Sequence, residues 1–255
     1  MAQSRPRILF LDLETFPNIG YSWGKYEQNI IRFTQETCLA TYAAKWLGEA
    51  EVFAKALPDY KGYRPGSYDD TKLVADLWTL VNEADIIVAH NGDQFDIKVF
   101  QARFIFHKLG PPKPFKTIDT KKAVKRVARF NSNKLDDLSS LLENAKKIKT
   151  DFDLWEGCIN GDRSAWAKMV AYNKKDILLL EKLYLRLRPW INNHPNFSVL
   201  SGKENRVCPK CGSKNLQYKG YLVTQSRRYQ RLQCQGCGGW TREVKCEDGA
   251  KVTNG

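Results

Sequence analysis

The sequence predicts an α/β fold, a mixed sheet covered by helices, followed by a small cysteine-rich β module. Three observations carry that expectation. Three strand-like runs open the chain, and helices and strands alternate after them, the pattern of a layered sheet with helices on its faces. Near residue 190 the hydrophobic periodicity dissolves. Beyond that point, five of the seven cysteines crowd into residues 208–246.

The first strand is "RPRILFLDLET", apolar until it ends in Asp12 and Glu14. Residues two apart on a strand point to the same face, so the two carboxylates stand side by side and repel each other. Either this is a solvent-facing edge strand, or something positive belongs between them. "TCLATYAAKWLG" and "AEVFAKAL" supply two further strands, a meander with the first, and "YKGYRPGSYDD" is a Gly/Pro/Tyr-rich loop. "TKLVADLWTLVNEA" places Leu73, Leu77, Leu80 and Val81 at helical spacing. "DIIVAH" is a short apolar run, as expected of a strand buried on both faces. "FDIKVFQARFIFHKLGPP" is an amphipathic helix with Gly110 expected at its C′ position. "FKTIDT" is a fifth strand, and "KKAVKRVARF" and "KLDDLSSLLEN" are helices. A long helix, "DRSAWAKMVAYNKKDILLLEKLYLRLRP", ends at Pro189.

Charge narrows the partner. Lys and Arg number 41 against 28 Asp and Glu, a net +13. Residues 202–255 hold 11 of those cations and 4 of the acids, so +7 falls in the last fifth of the chain and +6 in the rest. That balance favours a polyanion, nucleic acid being the usual one, over a merely soluble basic protein. No secretory h-region and no apolar run of about 18 residues is present, so the expectation is an intracellular, cytoplasmic protein with no membrane partner. An odd number of cysteines with C-x-x-C spacings argues against a disulfide framework.

Two further segments bear on the acidic pair. "HNGDQFD" (90–96) follows the buried strand and delivers Asp96 at a helix start. "YNKKD" (172–176) puts Tyr172 and Asp176 four residues apart on one face of the long helix, beside a stripe of Met169, Ile177, Leu180, Leu183 and Tyr184. Four carboxylates gathered at one end of a sheet need hard divalent cations between them, and an all-oxygen ligand set suits Mg²⁺ or Mn²⁺.

Together the segments resemble the Exo I, Exo II and Exo III motifs of the DEDD 3′–5′ exonucleases. Exo I is "LDLET" with Asp12 and Glu14. Exo II is "NGDQFD" with Asn91, Phe95 and Asp96, spaced as in the proofreading domains of family B DNA polymerases. Exo III is "YNKKD" with Tyr172 and Asp176, and "NKLDDLSSLL" is also similar to that group. The resemblance covers roughly residues 7–188. No polymerase palm or fingers follow, so a free-standing nuclease or a polymerase's partner is expected.

The resemblance implies an RNase H-like mixed five-stranded sheet flanked by helices, and metal-dependent hydrolysis of DNA phosphodiester bonds. Asp12, Glu14 and Asp176 are implied to hold one ion, and Asp12 with Asp96 the second. Tyr172 is implied to orient the attacking water, although a tyrosine on a buried helix face is also an ordinary core residue. Asn91 and Phe95 are implied to contact the single strand. His90 and His107 are read as structural. The alternatives are a ribonuclease or structure-specific endonuclease using the same site, or an inert nucleic-acid-binding accessory protein.

In the C-terminal module, "CPKCG" and "CQGCG" place Cys208, Cys211, Cys234 and Cys237 as two knuckles, a closed four-thiolate set that reads as one structural Zn²⁺ site in a zinc ribbon. Cys246 is left over. Lys214, Tyr218, Lys219, Tyr221, Arg227, Arg228, Tyr229 and Arg231 lie between the knuckles. Charges interleaved with rings fit a nucleic-acid grip, with docking to a replication or repair protein as the alternative. The expected organisation is a nuclease domain over 1–189, a linker over 190–205 and the ribbon over 206–255. DNA is the expected partner, with RNA as its alternative.

Overall fold

In the computed structural model, which describes residues 5–26, 29–144, 150–202 and 206–252, the first strand is buried on both faces. Strand β1 (Ile8–Thr15) sends Leu9, Leu11 and Leu13 into one core and Ile8 and Phe10 into another. The near-unbroken apolar run is explained by that double burial.

β1 sits in the middle of a five-stranded sheet. β4 (Leu39–Trp46) pairs with it antiparallel and β5 (Phe53–Ala56) pairs antiparallel with β4, which is the expected meander. On the other side β6 (Ile86–Ala89) and β7 (Lys116–Asp119) run parallel to β1, giving the order β5-β4-β1-β6-β7. Helices α1 (Thr71–Glu83) and α2 (Asp96–Phe106) connect into the parallel strands and bury Leu73, Leu77, Phe100 and Phe104 in the first core. Helices α3 (Thr120–Val127) and α4 (Leu135–Glu143) contribute Val124 and Leu138 to the second. No helix among the described residues is long and apolar enough to cross a membrane.

The long helix α6 (Arg163–Leu187) serves both cores. Trp166 and Met169 pack in the first, while Ile177, Leu180, Leu183 and Tyr184 pack in the second, with the Tyr184 ring 5.5 Å from that of Phe10. Between the two stripes its buried side chains are Asn173 and Asp176.

Three local features differ from expectation. An exposed hairpin, β2 (Ile19–Tyr21) with β3 (Arg32–Gln35), leaves the sheet after β1, and a short helix α5 (Phe152–Ile159) precedes α6. Gly110 does not cap α2. The helix stops at Phe106, and Lys108 takes the left-handed turn at φ 58°. The cause is tertiary: the fully buried Asp70 carboxylate accepts Arg103 Nη2 at 2.6 Å and lies 2.6 Å from His107 Nε2, pinning the helix end before the glycine is reached.

The stretch expected to be a linker is packed. Ile191 and Phe197 join the second core, and His194 Nε2 lies 2.9 Å from the Tyr184 hydroxyl. A short turn of helix, α7 (Phe197–Leu200), is capped by the Asn196 side chain. Residues 203–205 of that stretch lie outside the described residues. Beyond it, β8 (Leu216–Val223), β10 (Trp240–Arg242) and β11 (Asp248–Gly249) all pair antiparallel with β9 (Arg227–Cys234).

Candidate active site and cysteine cluster

The row of side chains that starts with Ile8 and Phe10 continues along β1 with Asp12 and Glu14, because alternate residues share a face. The carboxylates therefore lie on the side of the sheet crossed by α6. The Asn173 amide nitrogen on that helix donates to Asp12 Oδ2 at 2.6 Å, and the Asn173 oxygen accepts from the Thr41 hydroxyl at 3.3 Å. Asp96 opens α2, is 3% exposed, and accepts the Leu13 amide at 3.1 Å. Asp176 is buried, and the Tyr172 hydroxyl hydrogen-bonds to it.

The charges act on one another strongly. Asp12 is pushed well above the usual carboxylate range, first by burial and then by Asp96, Glu14 and Asp176. Glu14 is raised to about 8 by burial, with Asp176 and Asp96 adding to it. Burial also raises Asp96 to about 7, and the charge of Asp119 adds to it, against the backbone amides that favour its charged form. The Tyr172 hydroxyl is raised by burial, then by Asp176 and Glu14, so it stays protonated at neutral pH. A cluster of mutually repelling carboxylates, Asp96 and Asp176 buried and Asp12 and Glu14 half-buried, matches the chemistry of a hard divalent cation site.

The Exo II-like turn is shaped by its backbone. Asn91 adopts φ 68°, its carbonyl accepts the amides of Gln94 and Phe95, and its own amide donates to Asp119 Oδ1 at 3.1 Å. A Cβ on Gly92 would lie 2.4 Å from the Ala89 Cβ, so only glycine fits there. Phe95 is 41% exposed beside the buried Asp96. The expected structural histidines are occupied in that manner, His90 between the Thr120 hydroxyl and the Asn133 carbonyl, each at 2.9 Å, and His107 by Asp70.

Two polar residues were not singled out by sequence. Asn173, fully buried, positions Asp12; its signal was a polar side chain on the buried face of the helix, directly after Tyr172. Asp119 caps α3 and holds the Asn91 amide through Oδ1, while its buried Oδ2 has no hydrogen-bond partner among the described residues.

In the C-terminal module the four cysteines meet. Cys208 and Cys237 sulfurs are 3.7 Å apart, those of Cys211 and Cys234 are 3.6 Å apart, and all four lie within 4.8 Å of one another. A tetrahedral ion about 2.3 Å from each sulfur requires sulfurs about 3.8 Å apart, so the cluster is compatible with a zinc ribbon. Both knuckles close alike: the amides of Gly212 and Gly238 donate to the carbonyls of Cys208 and Cys234 at 2.8 Å, with φ 73° and 77°. Among the described residues this is the one group of His, Cys, Asp and Glu side chains so tightly gathered. Asp12, Glu14, Asp96 and Asp176 do not gather that closely.

The basic and aromatic residues of the module do not form one surface. Tyr221 and Arg228 share a face, the guanidinium 4.6 Å from the ring. Arg227, Tyr229 and Arg231 point to the other. Lys219 is exposed at the bulge beside Gly220. Tyr229 corrects expectation: it is 8% exposed and lies under the Arg242 guanidinium at 3.7 Å, so its ring face is not free to stack on a base.

No curated protein matches the chain. A family model described as the RNase H superfamily matches residues 45–188. That stretch contains Asp96, Tyr172 and Asp176 and begins after Asp12 and Glu14. It covers more than half of the chain, and the five-stranded mixed sheet has the layout of that fold, so the chain belongs to the RNase H superfamily.

Proposed function

We propose that this chain is a metal-dependent 3′–5′ exonuclease of the DEDD kind that hydrolyses phosphodiester bonds of DNA, with residues 1–189 as its nuclease domain and 206–255 as a zinc ribbon. Superfamily membership supports a nuclease-type hydrolase. The observation that carries the finer reading is the mutual repulsion of half-buried Asp12 and Glu14 with buried Asp96 and Asp176, the Tyr172 hydroxyl bonded to the last of them.

In this reading Asp12, Glu14 and Asp176 hold one Mg²⁺ or Mn²⁺ ion, and Asp12 with Asp96 the other. Bound there, the ions would lower the pKa of water and stabilise charge on the leaving oxygen. Asn173 keeps the Asp12 carboxylate turned toward the site, and the Leu13 amide does the same for Asp96. Tyr172, neutral at working pH, serves as a hydrogen-bonding group that aims the attacking water and not as a base. Asn91 and Phe95, on the turn that delivers Asp96, are the side chains assigned to the strand end. Cys208, Cys211, Cys234 and Cys237 hold a structural Zn²⁺.

End-labelled single- and double-stranded DNA and RNA, incubated with Mg²⁺, Mn²⁺ or neither, test the reading. A 5′-labelled DNA strand shortening stepwise from its 3′ end is the expected result. Internal cuts appearing first would make the enzyme an endonuclease, and cleavage confined to RNA would make it a ribonuclease. Binding without hydrolysis under every condition would make it an inert accessory protein.

A further inference from the structure

The packed stretch after α6 and the ribbon enclose a recess of about 640 Å³. One wall is Asn192, His194 and Asn196 with Pro209 and Lys210, and the other is the sheet face carrying Arg231, Trp240 and Arg242. Among the described residues, Asp and Glu are missing from its lining. The two sheet faces differ in how their arginines are used. Arg206 and Arg228, beside Tyr218 and Tyr221, are paired with Glu243 and Asp248. Arg231 and Arg242 have no ion-pair partner among the described residues and stand against rings instead, Arg231 5.5 Å from Trp240 and Arg242 3.7 Å from Tyr229. Ring contact holds a guanidinium in place while leaving N–H groups for phosphate, and Arg242, which also hydrogen-bonds the Tyr229 side chain, keeps its remaining donors. Trp240 is 47% exposed at the same wall, an indole face on which an unpaired base can stack. A base within a duplex already stacks on its neighbours and cannot offer that face.

We propose that this recess, which takes only Arg231 from the mixed set of residues between the knuckles, seats a single-stranded polynucleotide, with Arg231 and Arg242 on successive phosphates and Trp240 under a base. The inference rests on the reading of the chain as acting on nucleic acid. The recess is tied to the catalytic helix, because the Lys210 amine donates to the Pro189 carbonyl, and the Phe197 amide donates to the Pro209 carbonyl at 2.9 Å. From Asp176 to the end of α6 at Leu187 the helix rises about 16 Å, at about 1.5 Å per residue, so a strand must be several nucleotides long to reach both places. The recess then holds the strand behind the end being cut.

The test uses the intact chain and fluorescent oligothymidylates of about 4 and about 20 nucleotides, bracketing the span of a single-strand groove. Binding is read by anisotropy in buffer without Mg²⁺ or Mn²⁺, and turnover is read separately with Mg²⁺. Arg231→Gln/Arg242→Gln should weaken the long oligonucleotide at least tenfold and lower its salt slope by about 1.4, two phosphates at about 0.7 each, while leaving turnover of saturating short oligonucleotide with Mg²⁺ unchanged. Trp240→Ala should cost about tenfold in affinity for the long strand. Because Arg242 also covers Tyr229, Asn196→Asp provides a variant that keeps the α7 cap yet puts a negative charge into the recess, and it should weaken the long strand too. Uridine oligomers in parallel show whether the recess distinguishes RNA from DNA. If all three variants, with zinc content and melting unchanged, bind the long strand like the parent protein, the proposal is overturned. It is also overturned if polyglutamate of matching charge displaces the strand as well as unlabelled oligonucleotide does, since the recess would then take an acidic protein. If no substrate is hydrolysed but the variants still lose the long strand, the nuclease reading fails and this one stands.

Discussion

At Asp12 and Glu14 two positions that continue a buried apolar row carry acids, and the folded protein holds them at a cost in stability. Glu14 titrates near 8 in the fold against an ordinary 4.5, and Asp96 near 7 against 3.8. The folded state therefore binds more protons than the unfolded chain across that window, and stability without divalent ions should fall as pH rises from about 4 to about 8. Melting temperatures measured with and without Mn²⁺ check this: the fall should be present without the ion and largely removed by it. Glu14→Gln should flatten the ion-free curve and raise the melting temperature near pH 8 by a few degrees, on the order of 1 kcal/mol or more at about 2–4 °C each. It should also abolish hydrolysis. A melting curve indifferent to pH and ion would mean the cluster is not strained by its charges. Tyr172→Phe separates positioning from packing at the neighbouring turn. It keeps the ring and loses the hydroxyl bonded to Asp176, so turnover should drop about 100-fold while the Mn²⁺-induced rise in melting temperature persists. Unchanged turnover would return Tyr172 to the core.

At the scale of elements, what sequence could reveal was whatever burial imposes on it. β1 and β6 were legible because burial on two faces demands unbroken apolar runs, and α6 because its stripe repeats at helical spacing. The carboxylates were legible as breaks in those patterns. The β2–β3 hairpin was not, since all seven of its strand residues are exposed and no alternation marks them. Gly110 misled because a local capping signal lost to the long-range hold of Asp70 on Arg103 and His107. Asn173 was missed for a related reason: its partners, Asp12 and Thr41, are distant in the chain. The same blindness hid the pair between Lys45 on β4 and Glu181 on α6, whose amine and carboxylate meet at 2.7 Å with side chains 8% and 16% exposed. Removing one partner leaves a charge buried alone. Lys45→Met should destabilise by about 3 kcal/mol, and Lys45→Met/Glu181→Leu should recover most of that loss, read by denaturant unfolding. If the double variant is no better than the single one, the pair is not what joins helix to sheet there.

For the molecule as a whole, the contrast between a chemical linker and a packed one decides where it can be cut. The loss of periodicity suggested a boundary after Pro189, yet Ile191, His194 and Phe197 are buried beyond it, the histidine against Tyr184 of α6. The periodicity dissolves there because the stretch packs through isolated side chains from an irregular backbone, which leaves no repeat to read. Two truncations should therefore behave differently. Ending the chain after Pro189 uncovers part of the second core, and each apolar side chain lost from burial costs about 1.5–3 kcal/mol. Ending it after Gly202 retains those contacts and removes 11 cations and 4 acids, or +7 of the net +13. The longer fragment should melt several degrees above the shorter and keep divalent-ion-dependent turnover, since Asp12, Glu14, Asp96, Tyr172 and Asp176 all remain. Against the full chain it should bind long single strands more weakly and with a shallower salt dependence, because fewer phosphates are neutralised. Equal melting of the two fragments would show residues 190–202 to be a mere tether. Salt slopes that match the full chain would show instead that the basic C-terminal module takes no part in holding the strand.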